Sequence, residues 1–404
     1  MLSTFRVEGF KSLFETSIEL GAFNVFVGAN GSGKSNLLEA IGVMGAAAFG
    51  SVEPETLRYR GVRPGLPALY KTSFRNRAFR RLITMEASAA DVIYRVGLDN
   101  PIKSPSFRWK IASESLTEGD RPIVSRSPAG CRLHQASGKV ERITPDPEQT
   151  VSKLALASRD NAQQAKGLID DLANFAIHAP TTPVLRGIAS EDVIRDPLGI
   201  TGGGLPDAIR YLLDRAAGTF GPFDLDEIWE MIEWAENMNA VPAPLASISP
   251  AVKTTPTVLR FTDRYMRPER NTLSAYDASE GALYVLFMLA LVSHDRAPQV
   301  VAVDNFDQAL HPRLAQALTR LLADHVSKDG SRQVLATTHN PLVLDGLDLT
   351  NPAIRLFAVD RNSAGVTQVR RIEVTPELLS EADKGLSLSR LWVMGRLGGV
   401  PRLL

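Results

Sequence analysis

The chain has 404 residues, 44% apolar and 22% charged, which fits two or three compact globular units and excludes a fibrous or low-complexity protein. Its 45 Lys and Arg balance 45 Asp and Glu, so no net field draws it onto nucleic acid or anionic lipid, although a local patch still can. The single cysteine, Cys131, excludes an intrachain disulfide, the opening MLSTFRVEGFKSLFE lacks a signal-peptide pattern, and no run reaches the ~20 apolar residues of a membrane span; a cytoplasmic protein with no membrane partner is expected.

Residues 1–27 hold short alternating runs ending in FNVFV, which predict strands. GANGSGKS follows, then NLLEAIGVMGAAAFG with helical character. Residues 55–81 read as an arginine-rich loop, and LITMEAS, VIYRVGL and FRWKIASESL predict an antiparallel sheet. From about 147 to 240 the pattern is helical, in EQTVSKLALASRD, QQAKGLIDDLANFAI, LPDAIRYLLDRAAG and DEIWEMIEWAENM. Strand and helix signals then alternate to about 373, through TPTVLRFTD, SEGALYVLFMLALV, QVVAVD, PRLAQALTRLLADHV, RQVLATT and AIRLFAVDR. Such alternation argues for an α/β fold with a parallel sheet covered by helices, and GALYVLFMLALVSHD reads as a buried helix. The sequence carries no internal repeat and no sustained heptads.

Gly28–Ser35 fit G-x-x-x-x-G-K-[ST] between an apolar strand and a helix, the context a phosphate-binding loop requires. Glycines let backbone N–H groups wrap phosphates, and the helix N-terminus adds positive potential. Asn30, Gly31, Ser32, Gly33, Lys34, Ser35 and Asn36 are therefore candidate nucleotide-binding residues, with Lys34 reaching the β- and γ-phosphates and Ser35 ligating magnesium. Asp304 ends the continuous apolar run VVAV, a strand buried on both faces, and is the second candidate metal ligand; a lone Asp there would simply cap the next turn. His339, in LATTHNP after another apolar strand, is a candidate for bonding a γ-phosphate or its attacking water.

These segments, with FRVEGFKSLFETSIEL and LSAYDASEGALYVL, resemble ABC-type ATPases of the RecF, SMC and OLD-like group, specifically over residues 1–45 and about 270–345. The resemblance implies an ABC-type P-loop head with a mixed sheet core, an antiparallel β subdomain and a helical insertion. Residues 1–135 would form the first part of the head, 136–250 the insertion, 251–375 the second part and 376–404 a helical tail. It implies ATP and Mg²⁺ as ligands, and a homodimer or higher oligomer in which two heads sandwich two nucleotides. Ala278–Gly281 resemble the signature segment, so Ser279 and Gly281 would meet the γ-phosphate held by the partner head. Read from the residues alone, Ser279 is an N-cap before an apolar helix.

Two departures stand out. Asn305 replaces the family's water-polarising glutamate, and an amide positions water without accepting its proton. Slow hydrolysis or a long-lived ATP-bound dimer is expected; Asp307 substitutes only if the loop bends it back. Asp304, Asn305 and His339 are thus the candidate catalytic set. No glutamine lies between Asn36 and His134, so the family's Q-loop residue is missing or replaced.

The insertion is too short and non-heptad for SMC arms, and about 65 residues after His339 are too few for the nuclease domain of OLD proteins. The chain resembles the ATPase subunits of anti-phage modules, such as Septu or retron-linked systems, whose damaging activity sits on a separate effector, for example a nuclease or reverse transcriptase. A RecF-like repair ATPase and a silent ATP-binding scaffold are the other readings. Arg75, Arg77, Arg80 and Arg81 crowd a segment interleaved with Phe74 and Phe79, a candidate nucleic-acid patch unless it is merely solvated or paired with the acidic DEIWEMIEWAE stretch. Trp229 and Trp234 in that stretch read as core rather than a docking face.

Overall fold

A computed structural model describes residues 1–400 apart from 76, 78, 158, 160, 216–217, 244–247 and 250. The last residues of the expected tail, 401–404, lie outside the described residues, as do 158, 160, 216 and 217 within the segments expected to be helical.

The opening alternating runs form β1 (Thr4–Phe10), β2 (Leu13–Glu19) and β3 (Phe23–Val27), and α1 (Lys34–Phe49) follows. Two short helices, α2 (Pro54–Arg58) and α3 (Pro67–Tyr70), punctuate the arginine-rich segment. A meander comes next: β4 (Ile83–Ala89), β5 (Val92–Asp99), β6 (Lys110–Glu118), β7 (Arg121–Ser127), β8 (Gly130–His134) and β9 (Val140–Ile143). With β1 and β2 these strands make an eight-stranded antiparallel sheet, in the order β2-β1-β4-β5-β6-β7-β8-β9. Its period-2 pattern explains its single buried face: Phe5, Val7, Met85, Tyr94 and Val96 are fully buried, while Arg6, Glu86 and Arg95 lie on the other side.

The middle of the chain supplies α4 (Ser152–Ala157), α5 (Gln163–Asn174), β10 (Ala176–His178), α6 (Thr182–Leu185), α7 (Leu205–Leu213), the small hairpin β11 (Thr219–Phe220) and β12 (Phe223–Asp224), and α8 (Leu225–Met231). Strands β13 (Ala235–Pro242), β14 (Thr257–Asp263) and β15 (Thr272–Ser274) form a three-stranded antiparallel sheet. The remainder is α9 (Glu280–Ser293), β16 (Val300–Val303), α10 (Pro312–Asp329), β17 (Gln333–Thr338), β18 (Ile354–Arg361), β19 (Thr367–Ile372), α11 (Pro376–Asp383) and α12 (Leu388–Val393).

The central sheet runs β10-β16-β17-β3-β18-β19; its first five strands are parallel and β19 is antiparallel. Both faces are covered. Phe23, Val25, Val27, Val301 and Val303 pack against α7, α9 and α10, whereas Phe26, Val300, Ala302 and Leu335 pack against α1, α5 and the antiparallel sheet. Two-sided burial is why these strands read as continuous apolar runs. Helix α9 is buried from Ala282 to Val292, as an all-round apolar helix must be. Among the described residues no helix is long and apolar enough to cross a membrane.

Two stretches expected to be helical are strands. WAENM does not continue α8: the helix stops at Met231, and Ala235–Pro242 pairs along β14. Ala176–His178 leaves α5 and adds a strand to β16, with Ala176 opposite Val301 and His178 opposite Val303. In each case pairing with a distant strand outweighs local helix preference.

Candidate nucleotide site

In an open parallel sheet, ligands bind beyond the carboxyl ends of the strands. Here those ends bring together His178, Asp304, Thr338 and the loop that starts at Gly28, because β10, β16, β17 and β3 are adjacent and parallel. Gly31 (φ +75°) and Gly33 (φ +113°) take backbone conformations that disfavour other residues, and a Cβ on Gly33 would collide with the Thr367 hydroxyl. That hydroxyl donates to Ser32 O at 2.7 Å and shares a hydroxyl–hydroxyl hydrogen bond of 2.7 Å with Ser12 Oγ, and so holds the loop from behind. Gly33 is the N-cap of α1 and has no side chain to bond the first helical N–H groups, which leaves them for an anion.

Lys34 folds back over the loop, donating to Gly28 O at 2.6 Å and Ala29 O at 3.0 Å. Burial lowers the pKa of its ammonium, opposed by the charges of Asp304 and Asp307. Ser35 Oγ donates to the Asp304 carboxylate at 2.8 Å, across 269 residues of sequence, and Thr337 Oγ1 donates to the same carboxylate at 2.5 Å. Asn36 commits its amide to Ser12 Oγ at 2.7 Å, bracing the turn between β1 and β2 against the loop. Asn30 and Gly31 are exposed at the loop tip, and Ser32 is buried beneath it.

Asn305 is exposed and left-handed (φ +56°), with its backbone N–H bonded to Thr337 Oγ1 at 2.9 Å. His339 is exposed directly after β17. Ser279 is the N-cap of α9: its hydroxyl accepts from Ala282 N–H and from the Trp234 indole N–H, both at 3.3 Å. With its two acceptor positions used, the hydroxyl proton is left to donate outward. Gly281 faces Ala309 O; a Cβ there would stand 3.3 Å from it. The Ser279 end of α9 is tied to the segment leaving β10, through the bond of Thr182 to Glu280 and of Tyr284 OH to Pro180 O at 2.6 Å.

Several contributors escaped the sequence reading. Thr337, Thr338 and Thr367 are buried hydroxyls whose partners lie far along the chain; the Thr-Thr before His339 was the available signal. The strand flanking Asp304 is β10, so Ala179–Thr182 leaves the sheet beside it, far from the window searched for a glutamine. Glu39, 3% exposed on α1, bonds Lys11 and Arg63 (Nε, 2.6 Å), and Arg63 also feels the charge of Asp304. A cavity of about 390 Å³ lies between Arg63, Thr181 and Glu191.

His178 sits under this floor. Its backbone carbonyl accepts from Asp304 N–H at 3.0 Å, and its Nδ1–H donates to Gly199 O at 2.9 Å. Burial, and then Arg195, push its pKa down to about 3. Because the folded value lies below the unfolded one near 6.5, unfolded chains bind the proton first, and stability falls as pH drops from 6.5 toward 3. Wild type should lose about 3 kcal/mol more than His178→Asn between pH 7 and pH 4 in urea unfolding. Equal losses would contradict the assignment.

The basic segment is mostly neutralised, and by partners other than the acidic helix. Arg80 pairs with Glu8 (2.6 Å) and Glu15, Arg81 with Asp99 (3.0 Å), and Arg77 lies 4.4 Å from the Phe14 ring centre. Arg75 and Arg77 are exposed. Trp229 and Trp234 pack against the core, Trp234 with its ring 5.4 Å from that of Phe261.

A serine hydroxyl and a carboxylate touching at the mouth of an uncapped helix are hard oxygen donors that fit a magnesium ion shared with phosphates. Residues 155–345 match a family model described as AAA domain, putative AbiEii toxin, Type IV TA system, and residues 1–63 match an AAA ATPase domain. No curated protein matches the sequence. Among solved structures the chain is similar to an SMC head bound to the C-terminal winged-helix domain of ScpA, at 14% identity and a TM-score of 0.55, over 92% of this chain and 98% of that one. An SMC head domain from Thermotoga maritima (16% identity, TM-score 0.42, 92% and 99% covered) and one from Pyrococcus furiosus bound to the C-terminal domain of ScpA (13%, 0.47, 95% and 98%) are more distant in shape. The phosphate-loop geometry and the two matches to AAA-type family models fit a P-loop ATPase, and the fold is similar to that of an SMC head.

Proposed function

We propose that this nucleotide-binding ATPase is a switch that closes into a homodimer around ATP and magnesium and acts on a separate effector in an anti-phage defence module. The carrying observation is the contact of Ser35 with Asp304 at 2.8 Å, which joins the two ends of the chain into one triphosphate and metal pocket. Magnesium held there would neutralise charge on the β- and γ-phosphate oxygens. Lys34 swings from the loop carbonyls to the phosphates, the α1 N–H groups cradle them, and Ser279 donates its proton to the γ-phosphate of the other copy. The AbiEii-type match supports the defence reading, and the ScpA-bound SMC head supports the idea that heads of this fold engage partner proteins. Any nucleic-acid contact falls to Arg75 and Arg77, whose charges are less committed than those of Arg80 and Arg81.

Sizing with ATP and magnesium tests the switch. Wild type should shift to a dimer, and Ser279→Arg should bind ATP normally yet stay monomeric, because a bulky cation replaces the outward hydroxyl. An oligomeric state indifferent to ATP would favour a silent scaffold. Rapid hydrolysis stimulated by DNA would favour a RecF-like repair ATPase.

A further inference from the structure

Asn305 cannot take a proton from water, yet the chain brings another carboxylate to the same sheet end. After Asp304 the backbone turns twice: Gln308 N–H bonds Asn305 O at 3.0 Å, and Leu310 N–H bonds Asp307 O at 3.2 Å. Phe306 anchors the turn, its side chain 1% exposed and its N–H bonded to Thr337 O at 2.9 Å. Asp307 is thereby folded back to 7% exposure, where its Oδ1 accepts from Thr338 Oγ1 at 2.6 Å. Thr338 pairs with Val27, the residue before the phosphate loop, and immediately precedes His339. The Asp307 carboxylate therefore lies at the tip of β17, bonded to the residue that precedes the histidine and pairs with the end of β3, and its charge is felt at Lys34.

We propose that Asp307 is the general base for ATP hydrolysis in this chain, in place of the residue at 305. The inference rests on the nucleotide-site reading above. The water oxygen bonds to the γ-phosphorus as the bond from phosphorus to the β–γ bridging oxygen breaks. The water proton passes to the Asp307 carboxylate, and the charge left on ADP faces Lys34 and the α1 N–H groups. Asp307 then releases the proton to phosphate or solvent, leaving ADP and inorganic phosphate. Thr338 fixes one carboxylate oxygen, and lone pairs remain on the carboxylate for water.

Asp307→Asn separates this role from simple anchoring of the β17 tip, because the amide oxygen still accepts from Thr338. Turnover should fall roughly 100-fold or more, while the affinity for a fluorescent ATP analogue stays within about twofold and the ATP-bound dimer lives longer. Asn305→Glu added to Asp307→Asn should restore hydrolysis by supplying a carboxylate from the neighbouring position. Turnover in Asp307→Asn within twofold of wild type, with the analogue bound, overturns the inference, as does a parallel loss of binding. Failure of wild type itself to bind the analogue would overturn the nucleotide-site reading instead.

Discussion

Lys34→Ala is expected to weaken nucleotide binding by about 30-fold or more while leaving the fold intact. In this structure Lys34 is a buried ammonium satisfied by two loop carbonyls, at 2.6 and 3.0 Å, and its burial disfavours the charged form. The loop carbonyls and the nearby Asp304 and Asp307 hold that cation until a triphosphate arrives. Truncating one partner of a buried, hydrogen-bonded charge pair costs roughly 2–5 kcal/mol of binding, which is about 30-fold to several thousand-fold in affinity. The unliganded protein gains as well as loses. Alanine at the start of α1 is a good helix former, and the desolvation cost disappears; against that, two carboxylates lose a counter-charge. The melting temperature should therefore stay within roughly 3 °C of wild type. Titration of a fluorescent ATP analogue beside a thermal melt reads both quantities. Affinity within about threefold of wild type, or a collapse in stability, would contradict this account of the site.

What could be read in advance follows from how many independent constraints each stretch carries. β3, β16 and β17 are buried on both faces, so FNVFV, VVAV and QVLATT announce themselves without help from neighbours. The phosphate loop was legible because its glycines are needed for backbone geometry, which Gly31 and Gly33 bear out with positive φ. The misread stretches depend on partners far along the chain. β13 exists because β14 pairs with it, and β10 exists because β16 offers it an edge. The partners that neutralise the arginine patch were not legible in sequence because Arg80 meets Glu8 from 72 residues away. Thr367 reaches the phosphate loop across 335 residues. The return of Asp307 depends on two turns with Asn305 and Ala309 left-handed and Phe306 as anchor, after which Thr338 holds the carboxylate, and neither local propensity nor spacing announces such an arrangement.

Asp304→Asn should separate ATP binding from its dependence on metal. Asp304 accepts from Ser35 on both oxygens, at 3.1 and 2.8 Å, and from Thr337 on Oδ1 at 2.5 Å, while its backbone N–H bonds His178 O. An asparagine keeps the backbone bond and one side-chain acceptor, and its amide can donate to a hydroxyl, so the turn survives. The negative charge is lost. In EDTA the variant should bind ATP as well as wild type or better, since a carboxylate no longer repels the triphosphate. The gain in affinity that magnesium gives wild type should shrink at least tenfold, and hydrolysis should fall by roughly two to three orders of magnitude, the loss of several kcal/mol of charge stabilisation. If Asp304 merely capped the end of β16, the pattern would invert: stability would drop, and the magnesium effect on ATP affinity would remain. Measuring ATP affinity with and without magnesium for both proteins distinguishes the two, because the quantity compared is a difference of differences in which any shared folding defect cancels.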